Sequence, residues 1–381
     1  MTDADRDSPF TLVPIPTHAS VATSSPPSSN PEAADPKLIS RAGPVLSIDP
    51  PAAPGAASSF RIAAALGPDF GLALIFLAVL SALVAGFGAS FVWNKGPILV
   101  AGGILVLLVV VAFVRRVPAI VRGAPDAWRD LGAAARRVLR DWAPFTIIMW
   151  AFESMETYTG VIRKTGIDEA LYHMDLRLFG VEPTVWVGRL SHPLLTDWMS
   201  LTYGLYFILP MIVASALSLR GRRHDLRELS TAVILQMGLG FVLFLLFPAG
   251  PPRFYAPLVN GGFSPAHLHS LSGLYEVQQS AFDTVDPLRI RSAFPSLHCS
   301  IALLTLFYSW RFGDALFPTR PRLYFWICLP LVVSLWLSTI YLRHHWVPDI
   351  AAGLLLGLAS STLAPRLRAA WPRVRAAAAS R

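Results

Sequence analysis

An all-α, polytopic membrane protein is the fold class that this sequence predicts, on three observations. Hydrophobic residues fill 54% of the 381 positions and charged residues only 15%, whereas a soluble globular domain carries about 25% charged residues. Apolar runs near the roughly 20 residues needed to cross a hydrocarbon core recur along the chain. Arginines gather at alternate connections between those runs, the signature of the positive-inside rule.

The elements follow in order. Residues 1–60 are rich in Pro, Ser and Ala, hold no apolar run long enough for a signal-peptide core, and are expected to form a disordered cytoplasmic tail. Residues 70–114 contain two spans, 70–93 and 97–114. Residues 115–141 carry Arg115, Arg116, Arg122, Arg129, Arg136, Arg137 and Arg140 and are read as a basic, partly interfacial segment. Six further spans are expected within 144–364, near 144–162, 199–219, 231–247, 294–310, 323–341 and 348–363, and residues 365–381 form a basic cytoplasmic tail. About eight spans result. Arg220, Arg222, Arg223 and Arg227, then Arg311, Arg320 and Arg322, then Arg366, Arg368, Arg373, Arg375 and Arg381 fall on one side. Both termini are therefore expected in the cytoplasm of a plasma or inner membrane, and the connections 163–198, 248–293 and 342–347 on the opposite face.

Composition also excludes classes of function. The net charge of +8 lies in short clusters between apolar runs rather than on one continuous basic face, so no nucleic-acid partner is expected. Cys299 and Cys328 are the two cysteines, too few for a disulfide framework or a cysteine metal site.

Three polar sites interrupt the apolar pattern at the outer level: Gly250-Pro251-Pro252-Arg253-Phe254-Tyr255, Phe294-Pro295-Ser296-Leu297-His298, and Tyr341-Leu342-Arg343-His344-His345-Trp346-Val347-Pro348-Asp349. His345 and Asp349 are four apart, which places both on one face of a helix; the carboxylate can then fix the imidazole tautomer and leave a nucleophilic nitrogen. Pro295 precedes a helical run, so Ser296, Leu297 and His298 are expected in its opening turn, where unpaired N–H groups favour phosphate and His298 can serve as acid and base. Arg253, Arg343, Arg291 and Ser296 are candidate phosphate donors. His344, Tyr255 and the intramembrane pair Glu153 and Glu156 are candidate substrate contacts. The His–Asp spacing fits an orienting pair better than a metal site, because adjacent histidines face different sides of a helix; no metal or cofactor is expected.

These motifs resemble the type 2 phosphatidic acid phosphatase superfamily, whose pattern is Pro-Ser-Gly-His, then Ser-Arg, five residues, His, three residues and Asp. Here Pro295-Ser296-Leu297-His298 and Ser338-Thr339, five residues, His345, three residues and Asp349 match most of it. Leu297 stands in place of Gly and Thr339 in place of the phosphate-binding Arg, and no Lys lies seven residues before Arg253. Phe-Pro-Ser-Leu-His, the run Tyr341 to Asp349, Asp175-Leu176-Arg177-Leu178-Phe179-Gly180, Tyr203 and Tyr206 are most similar to the inositol phosphorylceramide synthase branch, which transfers phosphoinositol from phosphatidylinositol to ceramide. The resemblance covers roughly Phe145 to Leu363 and implies a six-helix phosphatase or phosphotransferase core, to which the two leading helices and the tail are additions. It also implies a phosphohistidine-type intermediate on His345, with His298 as acid and base, Asp349 as orienting partner and no metal. Arg343 is read as supplying the positive charge absent at Thr339.

The implied substrates are a membrane phospholipid or lipid phosphate and a lipid alcohol acceptor. Transfer of an inositol phosphate-like head group leads. Hydrolysis of phosphatidate or of a polyprenyl phosphate or diphosphate is the alternative, and a non-enzymatic transporter or scaffold a third reading. No feature of the sequence sets an oligomeric state.

Overall fold

The computed structural model describes residues 66–87, 96–155, 165–261, 268–283 and 291–379. The expected N-terminal tail, residues 1–60, lies outside them. Fourteen α-helices are described: α1 (Pro68–Gly86), α2 (Gly96–Val114), α3 (Val117–Val121), α4 (Ala127–Met155), α5 (Asp168–Phe179), α6 (Pro183–Gly188), α7 (Pro193–Gly204), α8 (Ile208–Leu219), α9 (Arg223–Leu246), α10 (Ala256–Asn260), α11 (Leu274–Asp283), α12 (Leu297–Phe312), α13 (Leu323–Tyr341) and α14 (Val347–Ala379). Among the described residues there is no β-strand, only an isolated bridge between Ala249 and Ser292.

Four helical stretches are long and apolar enough to cross a membrane: Pro193–Leu219, Arg223–Leu246, Leu323–Tyr341 and Val347–Arg373. With backbone polar groups satisfied internally, such helices are what a bilayer core admits. The protein is an integral membrane protein of the all-α class. Around these stretches pack α1, α2, α4 and α12, with α12 at the centre against α8, α9, α13 and α14. Ile234, Met237, Phe241 and Phe244 of α9 and Ile301 and Leu304 of α12 are buried in the shared core.

Three boundaries differ from the expected ones. From Ala127 onward the basic segment and the described part of the first core span form one helix, α4, which continues through Pro144, while the start of the basic segment holds the separate α3. The span expected at 199–219 is two helices: α7 begins at Pro193 behind a His192 cap and gives way at Leu205 to a turn before α8. The last span does not stop before the basic tail, because α14 runs through Pro365 and Pro372 to Ala379.

Close approach of α12 to α14 fixes the end of the bundle where these two helices begin. A Cβ on Gly353 would lie 2.2 Å from the Ser296 carbonyl oxygen, and one on Gly357 2.6 Å from that of Ser300. Small residues four apart on both helices let the backbones touch, the usual device for joining helices in lipid.

Candidate active site

One end of the bundle gathers the ends of α7, α9, α12, α13 and α14. The chain leaves α9 at Phe247 and makes a 3-10 turn at Pro252–Phe254, which carries buried Arg253. Ser296 caps α12: its hydroxyl accepts the Cys299 N–H at 3.3 Å. The Ser296 N–H in turn donates to the Asp349 carbonyl oxygen at 3.0 Å, joining the start of α12 to that of α14.

His298, one residue into α12, faces His345 with Nδ1 3.4 Å from the His345 Nε2. On its other side, His345 Nδ1 is 3.4 Å from Asp349 Oδ2. Asp349 is buried, and the same Oδ2 accepts the Trp346 N–H at 3.0 Å. The expected His–Asp proximity exists, but its cause differs from the helical spacing. Helix α14 starts at Val347, so His345 precedes it, and Asp349 reaches back as a carboxylate in the first turn to cap the open N–H of Trp346. His345 is held by its own N–H, which donates to the Thr339 carbonyl oxygen at 3.1 Å.

The turn between α13 and α14 contains the unusual backbone. Arg343 has φ of 65°, the sole positive φ at a non-glycine among the described residues. It follows Leu342 at the end of α13, where glycine usually supplies the left-handed residue. An L-residue there costs about 1–2 kcal/mol, and such strain clusters at functional sites. Arg343 is buried beside buried Arg253, whose N–H donates to the Arg343 carbonyl oxygen at 3.3 Å. Burial lowers the pKa of Arg343, and the Arg253 charge adds to that effect.

His344 is also buried. Its Nδ1 lies 3.5 Å from an Arg253 Nη, and burial, reinforced by Arg253, holds its pKa well below the ordinary imidazole range. Tyr203 of α7 lies between two imidazoles, stacked on His298 and on His344 with ring centroids 4.5 Å away in each case. Tyr206 lies 4.2 Å from His298 on a tilted plane. The α7–α8 turn brings both tyrosines to the same histidine.

Other sequence candidates have separate settings. Arg291 pairs with Asp168 at 2.5 Å and, with Glu169 and Tyr255, lines a cavity of about 430 Å³ beside Gly250 and Pro251. Tyr255 packs on Tyr172 and Trp346. The Ser296 hydroxyl serves the helix cap. Glu156 lies outside the described residues, as does the side chain of Glu153. Two carboxyl groups that the sequence reading gave no role in the site, one of them the first residue of the Asp175–Gly180 motif, stand close by. Asp175 of α5 is fully buried and accepts the Val347 N–H at 3.3 Å; burial, followed by the Glu182 and Asp349 charges, pushes its pKa up to about 7. Glu182 caps α6, and burial raises its pKa too. Among the described residues no group of three or more His, Cys, Asp or Glu side chains is placed to hold a metal ion.

A helical membrane bundle with this site at one end is the setting of a known class. The chain belongs to the PAP2 superfamily, whose family model matches residues 169–363. Two curated relatives are similar to it. The inositol phosphorylceramide synthase of Candida albicans is 28% identical over 242 residues, covering 61% of this chain and 45% of that protein. The inositol phosphorylceramide synthase catalytic subunit of Saccharomyces cerevisiae is 29% identical over 191 residues, covering 46% of this chain and 45% of that protein. The chain thus spans about half the length of the curated relatives it matches. No solved structure matches it.

Proposed function

We propose that this protein is a membrane phosphotransferase that moves an inositol phosphate-like head group from a phospholipid to a lipid alcohol. The observation that carries the reading is the row Asp349, His345, His298, with both intervals at 3.4 Å. The names of the two relatives support the head group and suggest ceramide as acceptor.

Asp349 holds the proton of His345 on Nδ1 and leaves the Nε2 lone pair free to attack phosphorus. With His298 only 3.4 Å away, its imidazole must turn aside to admit the phosphate. As the N–P bond forms on His345, the bond to the diacylglycerol oxygen breaks and His298, entering as the imidazolium that the bound anionic phosphodiester favours, gives that oxygen its proton. The acceptor hydroxyl then loses its proton to His298 and attacks the phosphorus, and the N–P electron pair returns to His345. Arg253 and Arg343 offset the charge that builds on the phosphoryl oxygens. This pair takes the role of the arginine replaced by Thr339, whose hydroxyl bonds instead to the Trp336 carbonyl oxygen at 2.7 Å. The arginine-rich connections support cytoplasmic termini and an extracytoplasmic site.

The test is incubation of purified protein in mixed micelles with radiolabelled phosphatidylinositol, with and without ceramide or diacylglycerol. A labelled lipid that forms only with an acceptor is the expected result. Release of free phosphate or inositol phosphate alone would replace transfer with hydrolysis.

A further inference from the structure

At the arginine-rich end of the bundle, remote in the fold from the histidines, a cavity of about 210 Å³ opens where α2 turns into α3, against α4 and the α8–α9 turn. Its volume equals the liquid volume of about seven waters, enough for a phosphodiester. Its inner wall is apolar, from Leu108 and Val111 of α2 and Val138 of α4. Four guanidinium groups line it, Arg115, Arg116, Arg137 and Arg223, against the single carboxylate of Asp141.

That carboxylate is already shared. Arg223 donates to its two oxygens at 2.6 and 3.0 Å, and Arg227 donates to it at 3.0 Å from the far side. Positive charge at the cavity therefore exceeds negative charge, at the edge of a low-dielectric bilayer where like charges repel more strongly than in water. Arg115 is held in place, with one Nη donating to the Leu219 carbonyl oxygen at 2.7 Å. A guanidinium has five N–H donors, so this bond fixes its position and leaves others for a ligand.

We infer that this cavity binds the phosphodiester of an anionic phospholipid, at a site separate from the one around His345. A lipid is favoured over a soluble phosphate by the neighbouring surface. On α2, Val106, Leu107, Val110 and Val114 are exposed on the outside of the bundle, leading away from the cavity toward the bilayer. Acyl chains can lie along them while the head group enters among the arginines. This assignment stands independently of the proposed reaction.

The experiment compares thermal unfolding of the full chain in nanodiscs of phosphatidylcholine alone and with phosphatidylglycerol added. A third arm adds soluble glycerol phosphate to phosphatidylcholine nanodiscs. Each variant is referred to its own midpoint in phosphatidylcholine, so a general loss of stability cancels. Wild type should gain about 2–4 °C with the anionic lipid. Arg137→Gln should lose part of that gain and Arg115→Gln with Arg137→Gln nearly all of it, while Arg136→Gln, which changes an arginine outside the cavity lining, should keep it. Stabilisation through the His345 site is common to all variants and drops out of the comparison. An equal gain in the double variant would overturn the inference. So would a gain from glycerol phosphate as large as that from the lipid, by assigning the cavity to a soluble ligand.

Discussion

Leu297 occupies the position at which the superfamily motif has glycine, and the structure shows where its extra bulk goes. A Cβ on Gly240 of α9 would lie 2.6 Å from a Leu297 Cδ. The bulk gained in the motif is matched by a glycine 57 positions earlier in the chain, so the motif keeps its course. Gly240→Ala should lower the unfolding temperature, because overpacking a filled core costs about 1–3 kcal/mol; pairing it with Leu297→Ala should restore part of the loss. An additive double variant would show that the two residues do not share this space.

Tyr203 makes a different residue-scale argument. Its ring supports His298 and His344 on opposite faces, so loss of the ring should lower kcat while leaving KM nearly unchanged, and should alter the pH profile of kcat. Tyr203→Phe keeps the stack and should retain most activity; Tyr203→Leu should not. Equal loss in both would move the importance from the ring to the hydroxyl. For the charge pair, Arg343→Ala should reduce kcat/KM by an amount equivalent to about 2–4 kcal/mol, typical for loss of a preorganised donor. His345→Ala should abolish turnover without preventing membrane insertion; full activity in that variant would end the proposed mechanism.

At the scale of elements, the close crossing of α12 and α14 holds His298 against the His345–Asp349 pair. Gly353→Val would drive a side chain into the Ser296 carbonyl and should reduce activity more than it reduces stability, because small displacements of reacting groups can be costly. A comparison of turnover with unfolding temperature decides whether site geometry or general packing is more sensitive. The His–Asp pairing was legible in the spacing of the sequence, although the reason differed: a helix beginning at Val347 uses Asp349 as a cap. The break between α7 and α8 was not legible, because the apolar pattern is continuous across Leu205, Tyr206 and Phe207. Its consequence, two tyrosines on one histidine, was hidden with it.

For the whole molecule, apolar periods and arginine clusters were enough to read an all-α membrane bundle, since lipid restricts the possible architectures so strongly. Pairings across the chain were beyond such reading. Nothing local announces that Arg291 meets Asp168, or that Asp175 reaches the start of α14. The latter has a global effect. The carboxyl of Asp175 titrates near 7 when folded and near 4 when unfolded, about the ordinary aspartate value. Below both values the two states carry the same proton. Between them the unfolded state ionises first, so the favourable contribution of this group declines as pH rises from about 4 and is lost on passing about 7. Asp175→Asn should therefore flatten that part of the stability profile, measured by thermal unfolding across the interval.

His344 and His345 lie in the turn between the apolar stretches of α13 and α14, next to the ends of those helices. If delivery uses this placement, a donor reaches His345 by diffusing in two dimensions and keeps its chains in the bilayer throughout. The effective substrate concentration is then a mole fraction at the surface. Diluting donor and acceptor with inert lipid, at fixed total amounts in the tube, will slow turnover, while diluting the whole suspension with buffer will leave the rate per enzyme unchanged.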